Sequence, residues 1–194
     1  EGRYDRGDVA LRRIEALIPT LAQNPDTESL MVALYGRAVL LRQLGASTLD
    51  AISACDILER AGQETGATLW GATACALRAR VRVDAGDVGG ATADLARADA
   101  VLATEDVAGP TGYRLLDTLA LVYARLRLHD RADEMRGRIE HTINGRGVLE
   151  RAQHWSNWAA ELASRAMEPV AGGGSDPDHD LLRQAVTTAT RLDE

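Results

Sequence analysis

The chain has 194 residues and a formal net charge of −7, and it contains no lysine, so all 22 basic side chains are arginine. This composition excludes the phosphate-binding loop GxxxxGK(S/T) and Schiff-base chemistry, because both require a lysine amine. The acidic balance argues against direct nucleic-acid binding, and no apolar run approaches the roughly 18 residues that span a membrane.

Apolar residues recur with the period of an amphipathic α-helix along the whole chain. Breaks at Asn24-Pro25-Asp26 and at Gly45, Gly62 and Gly86 separate the helical segments. A flexible loop is expected at 168–176, which contains Pro169 and three successive glycines. The pattern predicts an all-α chain of about nine helices, at residues 9–23, 27–44, 48–61, 66–85, 88–103, 110–128, 130–144, 147–167 and 177–192.

The turns between helix pairs recur at a fixed interval, which is the mark of a repeat architecture. Gly45, Gly86 and Arg127 are each 41 residues apart. Seven positions before each turn lies a small residue, as close crossing of two helices requires: Ala38, Ala79 and Ala120. The interval predicts one domain over residues 1–194, in units of about 5–23, 27–61, 66–103, 110–143 and 147–192.

These offsets resemble the tetratricopeptide repeat over most of residues 5–167. The best stretch is Leu116-x-x-Leu119-Ala120-x-x-Tyr123-x-x-x-Arg127. The sequence departs from the family in its period, which is 41 where 34 is usual, and in Arg78, which stands at a position normally held by leucine. The resemblance implies a right-handed solenoid of antiparallel helix pairs. The alternative is an irregular helical bundle.

In the tetratricopeptide family the first helices of the pairs line a concave surface. The resemblance therefore places a set of candidate binding residues in this groove: Tyr35, Arg42, Arg80, Arg114, Asp117 and Arg125, together with Val39, Thr73, Ala76 and Leu121. Guanidinium groups bind carboxylates and phosphates with two parallel hydrogen bonds. The alternative is that these arginines are exposed helix surface with local acidic partners such as Asp84 and Asp117.

No catalytic or metal-ligating motif emerges. The segment Asp176-x-Asp178-x-Asp180 begins like a calcium loop, but Leu181 and Thr187 stand where the loop needs glycine and glutamate. Helix capping by acidic residues explains this cluster. Because HExxH, GxSxG and GxGxxG are also absent, we expect no enzyme activity, no metal and no cofactor in these residues.

The remaining chemistry-bearing residues are typical of core packing. Cys55 and Cys75 show no CxxC pattern, and we expect both to be small buried side chains in a reducing compartment. His154, Trp155 and Trp158 suggest a pocket, but the two tryptophans occupy positions that a fourth repeat would bury.

The pattern favours a non-catalytic regulatory module that binds a protein or peptide, including a second copy of itself in a homodimer. Its Ala- and Arg-rich style is similar to sensory regions that precede GGDEF diguanylate cyclase domains or belong to large helix-turn-helix activators of high-GC bacteria. We therefore expect a cytoplasmic piece of a larger protein, consistent with the missing initial Met. Two alternatives remain: a sensor that binds an anionic ligand through Arg42, Arg80 and Arg125, and a structural dimerisation module.

Overall fold

A computed structural model describes residues 2–24, 26–143, 148–167 and 178–190. Within these ranges every regular element is an α-helix, and the nine predicted helices are confirmed. They are α1 (Gly2–Leu21), α2 (Thr27–Gln43), α3 (Thr48–Thr65), α4 (Thr68–Asp84), α5 (Val88–Leu102), α6 (Pro110–Arg125), α7 (His129–Ile143), α8 (Val148–Ala166) and α9 (His179–Thr190).

The helices pack mainly against their neighbours in sequence, in antiparallel, repeat-like order. Two compact units result, residues 1–135 and 136–194. In the first unit α4 also contacts α2 and α6, so the first helices of successive pairs lie side by side. In the second unit α8 packs on α9. The single domain over 1–194 stays a prediction, and the loop expected at 168–176 lies outside the described residues.

The three turns of the 41-residue interval share one backbone geometry. Gly45, Gly86 and Arg127 all adopt a left-handed conformation, with φ of 73°, 81° and 59°. After each of them, an amide N–H donates to the carbonyl five residues earlier: Ala46 to Leu41 at 3.0 Å, Asp87 to Arg82 at 2.8 Å and Leu128 to Tyr123 at 2.9 Å. This is the Schellman closure of a helix C-terminus. The recurrence seen in the sequence is therefore a recurrence of backbone structure.

The small residues seven positions before each turn lie at helix crossings. Ala38 and Ala79 are fully buried, and Ala120 is 2% exposed. Ala38 packs in one cluster with Ala54, Cys55 and Leu77, which brings α2, α3 and α4 together. Since alanine side chains are short, long helices approach closely here without phenylalanine in the core.

Two predicted helix ends are wrong. The sixth helix ends at Arg125 and not at residue 128, because the left-handed turn at Arg127 closes it. The third helix does not stop at Gly62 but continues to Thr65, and Gly66 forms its left-handed C-cap with φ 71°. Gly62 is buried inside α3, where a Cβ atom would lie 2.9 Å from the backbone nitrogen of Gly71 in α4. The glycine serves the close approach of two helices and not a turn, a distinction that local sequence does not carry.

The outer ends of the chain differ in detail from the predicted bounds. The first helix begins at Gly2 and not at residue 9. The last helix begins at His179, because the carboxylate of Asp178 accepts hydrogen bonds from the amides of Asp180 and Leu181 at 2.9 and 3.1 Å. Capping by an acidic residue is confirmed there, and Asp176 lies outside the described residues.

Candidate functional site

Two arginines from two helices bond to one carboxylate in the first unit, and a third arginine lies near them. Arg42 of α2 donates through Nε and Nη2 to Asp84 Oδ2, each at 2.8 Å. Arg125 of α6 donates to the other oxygen of Asp84 at 3.3 Å. Arg80 lies on α4, one helical turn before Asp84. We call Arg42, Arg80, Asp84 and Arg125 the arginine cluster.

The charges of the arginine cluster do not cancel. Burial lowers the pKa of Arg80, and the neighbouring charge of Arg42 lowers it further, whereas Asp84 and Asp117 oppose the shift. Arg125 also acts to lower the pKa of Arg80. Three guanidinium groups thus share one carboxylate within the cluster, which leaves two positive charges in excess on a chain whose net charge is −7. The cluster repels cations and attracts an anion.

An aromatic pair adjoins the arginine cluster along the same three helices. The rings of Tyr35 in α2 and Trp70 in α4 have centroids 5.9 Å apart at a 58° tilt. The guanidinium carbon of Arg114 in α6 lies 5.9 Å from the Tyr35 centroid and 5.7 Å from that of Trp70. Trp70 also donates its indole N–H to Glu28 Oε2 at 2.9 Å. Cation–π attraction therefore fixes Arg114 over the two rings.

Tyr35 joins the aromatic pair electrostatically to the arginines. Burial raises the pKa of Tyr35, and the nearby carboxylate of Asp117 raises it further, while Arg114 and Arg80 act in the opposite sense. The Tyr35 hydroxyl stays protonated at neutral pH and is hydrogen-bonded with Thr118. Asp117 and Arg114 add one charge of each sign beside Tyr35, and Glu28 adds a negative charge at the Trp70 side of the pair.

The structure brings together all six candidate residues of the predicted groove: Tyr35, Arg42, Arg80, Arg114, Asp117 and Arg125. The acidic partner named from the sequence, Asp84, also binds two of the arginines. Two neighbours are wrong as groove-lining residues, because Thr73 and Ala76 are fully buried within α4. Sequence reasoning missed Trp70, which no spacing signal connects with Tyr35 or Arg114.

A second charged cluster, absent from the sequence predictions, lies buried among α3, α4 and α5. Arg78 is 4% exposed and contacts three carboxylates. Its guanidinium group donates to Asp56 at 2.5 Å, to Glu59 at 2.7 Å and to Asp94 at 2.6 Å. Burial acts to lower the pKa of Arg78, but the hydrogen bonds with Asp94 and Asp56 outweigh it and raise the pKa.

Two further arginines complete this buried network. Arg82 reaches Asp94 at 3.0 Å, and Arg97 contacts both Glu59 and Asp94. Three guanidinium groups face three carboxylates, and the exposed Asp87 lies 3.7 Å from Arg82 at the edge, so the network has no excess of positive charge, unlike the arginine cluster. Its chemistry is structural, since buried ions are tolerated only when paired and hydrogen-bonded. The signal for this network in the sequence was Arg78, which stands at a position where the resemblance would place leucine.

Both cysteines and Trp155 behave as core residues, whereas Trp158 is half-buried. Cys55 and Cys75 are free and buried, and burial raises the pKa of the Cys55 thiol to about 12. In the second unit, the rings of Trp155 and Trp158 stack with centroids 5.6 Å apart. Trp155 is 9% exposed, which confirms its predicted packing role.

Neither a metal site nor a membrane-spanning helix is present in the described part of the chain. Among those residues no group of three or more histidines, cysteines and acidic side chains could hold a metal ion. None of the helices described is both long and apolar enough to cross a bilayer. Comparison with protein-family models, curated proteins and solved structures finds no match.

Proposed function

We propose that this chain is a non-catalytic binding module that recognises an anionic segment of a partner protein through α2, α4 and α6. The observation that carries the proposal is the pairing of Arg42 and Arg125 with the single carboxylate of Asp84, with Arg80 close enough for its pKa to feel the charges of all three. An excess of two positive charges, supplied from three helices, is what a carboxylate-rich ligand needs.

The donors of the arginine cluster are only partly used. A guanidinium group has five N–H donors. Arg125 uses one of its five donors in the hydrogen bond to Asp84, and its side chain is 62% exposed. A ligand carboxylate that approaches Arg125 and Arg80 adds hydrogen bonds without removing Arg42 from Asp84. Tyr35, which is half-buried, lies beside these charges and can add an aromatic contact to a peptide that an inorganic ion could not make, while Trp70 is 3% exposed and packs behind it in the core.

The repeat geometry supports the tetratricopeptide resemblance as part of this proposal. The left-handed turns at Gly45, Gly86 and Arg127 and the buried alanines before them occur at the offsets that suggested the family. In that family the first helices of the pairs form the ligand groove, which corresponds here to α2, α4 and α6. Attachment to a larger signalling protein, a cytoplasmic location and a role in dimerisation stay predictions.

The test is binding of a fluorescein-labelled hexaglutamate peptide, followed by fluorescence anisotropy. The double substitution Arg80→Gln and Arg125→Gln removes both charges in excess. Because a charge-assisted hydrogen bond contributes about 1.5–3 kcal/mol, we expect Kd to rise at least tenfold. The matched control is Arg60→Gln, which removes an exposed arginine from α3 and should change Kd less than twofold.

Two results would contradict the proposal. One is equal loss of affinity in Arg60→Gln and in the double variant, which would show attraction by net charge alone. The other is no saturable binding by the unsubstituted chain at low ionic strength, where surface electrostatics are strongest. Sedimentation at micromolar concentration tests the dimerisation alternative. A monomer that binds the peptide supports partner binding and argues against dimerisation.

A further inference from the structure

A cavity of about 250 Å³ opens between α3, α4 and α5. It shares no residue with the arginine cluster. Ala72 and Cys75 of α4 and Val101 of α5 form apolar wall, while Gln63, Thr68 and Arg97 bring polar groups to it. Ligand sites combine these two features, an apolar enclosure and a few polar groups that fix orientation.

Gly62 and Gly71 both line the cavity, but the packing around them explains the glycine only at Gly62. At Gly62 a side chain is sterically excluded, because its Cβ would lie 2.9 Å from the backbone of Gly71. At Gly71 no atom lies within 4 Å of the position that a Cβ would take. Glycine weakens a helix relative to alanine, and packing gives no reason for it at Gly71. The absent side chain leaves the cavity open.

The charged groups at the cavity are already neutralised. Glu59 is held by Arg78 at 2.7 Å and also by Arg97. These residues belong to the buried network of three guanidinium groups and three carboxylates. A charged ligand would bring a charge for which the cavity holds no unpaired opposite charge, and such a charge is costly in a partly buried site. The charge balance therefore favours a neutral occupant.

The amide of Gln63 provides directional hydrogen bonds at the cavity. Gln63 Nε2 donates to Glu59 Oε1 at 3.3 Å, which orients the group. That bond uses one amide hydrogen, so the second N–H and the amide oxygen can pair with a ligand. A group with one donor and one acceptor side by side, as in a carboxamide, matches this pair.

We propose that this cavity is a second binding site, which takes a neutral aromatic molecule of one or two rings with a carboxamide-like edge. Its size supports this class, because a cavity of about 150 Å³ holds a benzene molecule in another protein. The ring would lie over Gly71 and against Ala72 and Cys75, and the polar edge would face Gln63.

The test uses benzamide as the neutral probe and benzoate as its charged analogue, each titrated into the full chain by isothermal titration calorimetry. We expect benzamide to bind with a Kd on the order of 1 mM, as its small size allows, and benzoate to bind at least tenfold more weakly. Amide chemical shifts of Gly71 and of the Gln63 side chain locate the site in the same titration.

Substitutions at Gly71 separate loss of the cavity from loss of the fold. Gly71→Leu fills the space and should weaken benzamide binding at least tenfold. The control Gly89→Leu introduces the same side chain on α5, outside the cavity and without a clash, and should leave Kd unchanged. Gly71→Ala should raise Tm by about 2 °C, which confirms that the smaller substitution is tolerated.

Three outcomes would overturn the inference. Benzamide could fail to bind at 10 mM, a concentration about tenfold above the expected Kd. Benzoate could bind as tightly as benzamide, which contradicts the charge argument. Gly71→Leu could retain full affinity while remaining folded, which places the ligand elsewhere. The hexaglutamate experiment uses other residues, so its failure is independent of these results.

Discussion

Removal of Arg78 tests the interpretation of the buried network most directly. The substitution Arg78→Met keeps much of the side-chain volume and deletes the charge that holds three carboxylates. Asp56 is 48% exposed at its side chain and can return to water, and Glu59 keeps Arg97. Asp94 is different, because its side chain is 2% exposed and loses its shortest pairing, keeping Arg82 at 3.0 Å and Arg97 at 3.6 Å.

The size of the effect follows from what remains around Asp94. Removal of one partner of a buried ion pair costs about 3–5 kcal/mol. Since Arg82 still neutralises Asp94, we expect the lower end, about 3 kcal/mol of unfolding free energy. For a chain of this length that loss lowers Tm by about 6–12 °C.

A second substitution distinguishes charge from packing. In the double variant Arg78→Met and Asp94→Leu, no buried carboxylate is left short of a partner, and Arg82 still lies 3.7 Å from Asp87. Replacing buried ions with apolar groups is often neutral or stabilising. We therefore expect the double variant to recover at least half of the loss measured for Arg78→Met.

The assay is urea unfolding in a background that reports the first unit alone. Trp70 is the only tryptophan among residues 1–135, so replacing Trp155 and Trp158 with phenylalanine leaves one fluorescence signal in that unit. Arg60→Met, at an exposed position of α3, is the control and should change stability by less than about 0.5 kcal/mol. A loss below about 1 kcal/mol for Arg78→Met, or a double variant no more stable than the single one, would refute the reasoning.

Three further predictions concern backbone and thiols. Gly62→Ala should lower the unfolding free energy by about 1–2 kcal/mol, because its Cβ meets the Gly71 backbone; an unchanged thermal midpoint would contradict this. Gly86→Ala should cost about 1–2 kcal/mol in urea unfolding at its φ of 81°, whereas equal stability of Gly86→Ala and the control Gly89→Ala would argue against backbone strain. Burial raises the pKa of Cys55 from 9.0 to about 12. The stability that the buried neutral thiol contributes is therefore complete below pH 9 and declines as pH rises towards 12. Ellman's reagent at pH 8 should react with Cys55 about a thousandfold more slowly in the native chain than in urea, and equal rates would contradict its burial.

Most of the helical architecture could be predicted because its signals are local. Apolar periodicity and caps depend on residues within one or two helical turns, so nine helices and the turns at Gly45 and Gly86 follow from the sequence. Arg127 shows the strength of the repeat, because its position in the 41-residue series predicted a turn that its residue type does not favour. Gly62 shows the limit, since its role depends on α4 and not on its own helix.

The candidate site could be predicted only in part, because its contacts join residues far apart in the chain. The repeat offsets assigned Arg42, Arg80 and Arg125 to one groove, which stays a prediction although their helices lie side by side. They also assigned Thr73 and Ala76 to the groove, although neighbouring helices bury both. An offset predicts the face of a helix that a residue occupies, but the depth to which the next helix covers it depends on tertiary packing.

The 41-residue recurrence repeats the backbone without repeating the charges. The positions equivalent to Asp84 hold Gln43 one interval earlier and Arg125 one interval later. The pairing of Asp84 with Arg42 and Arg125 therefore belongs to a single interval, where α2, α4 and α6 meet. Many repeat arrays could present a series of equal sites, whereas this one should titrate with a stoichiometry of one peptide per chain, without cooperativity between sites.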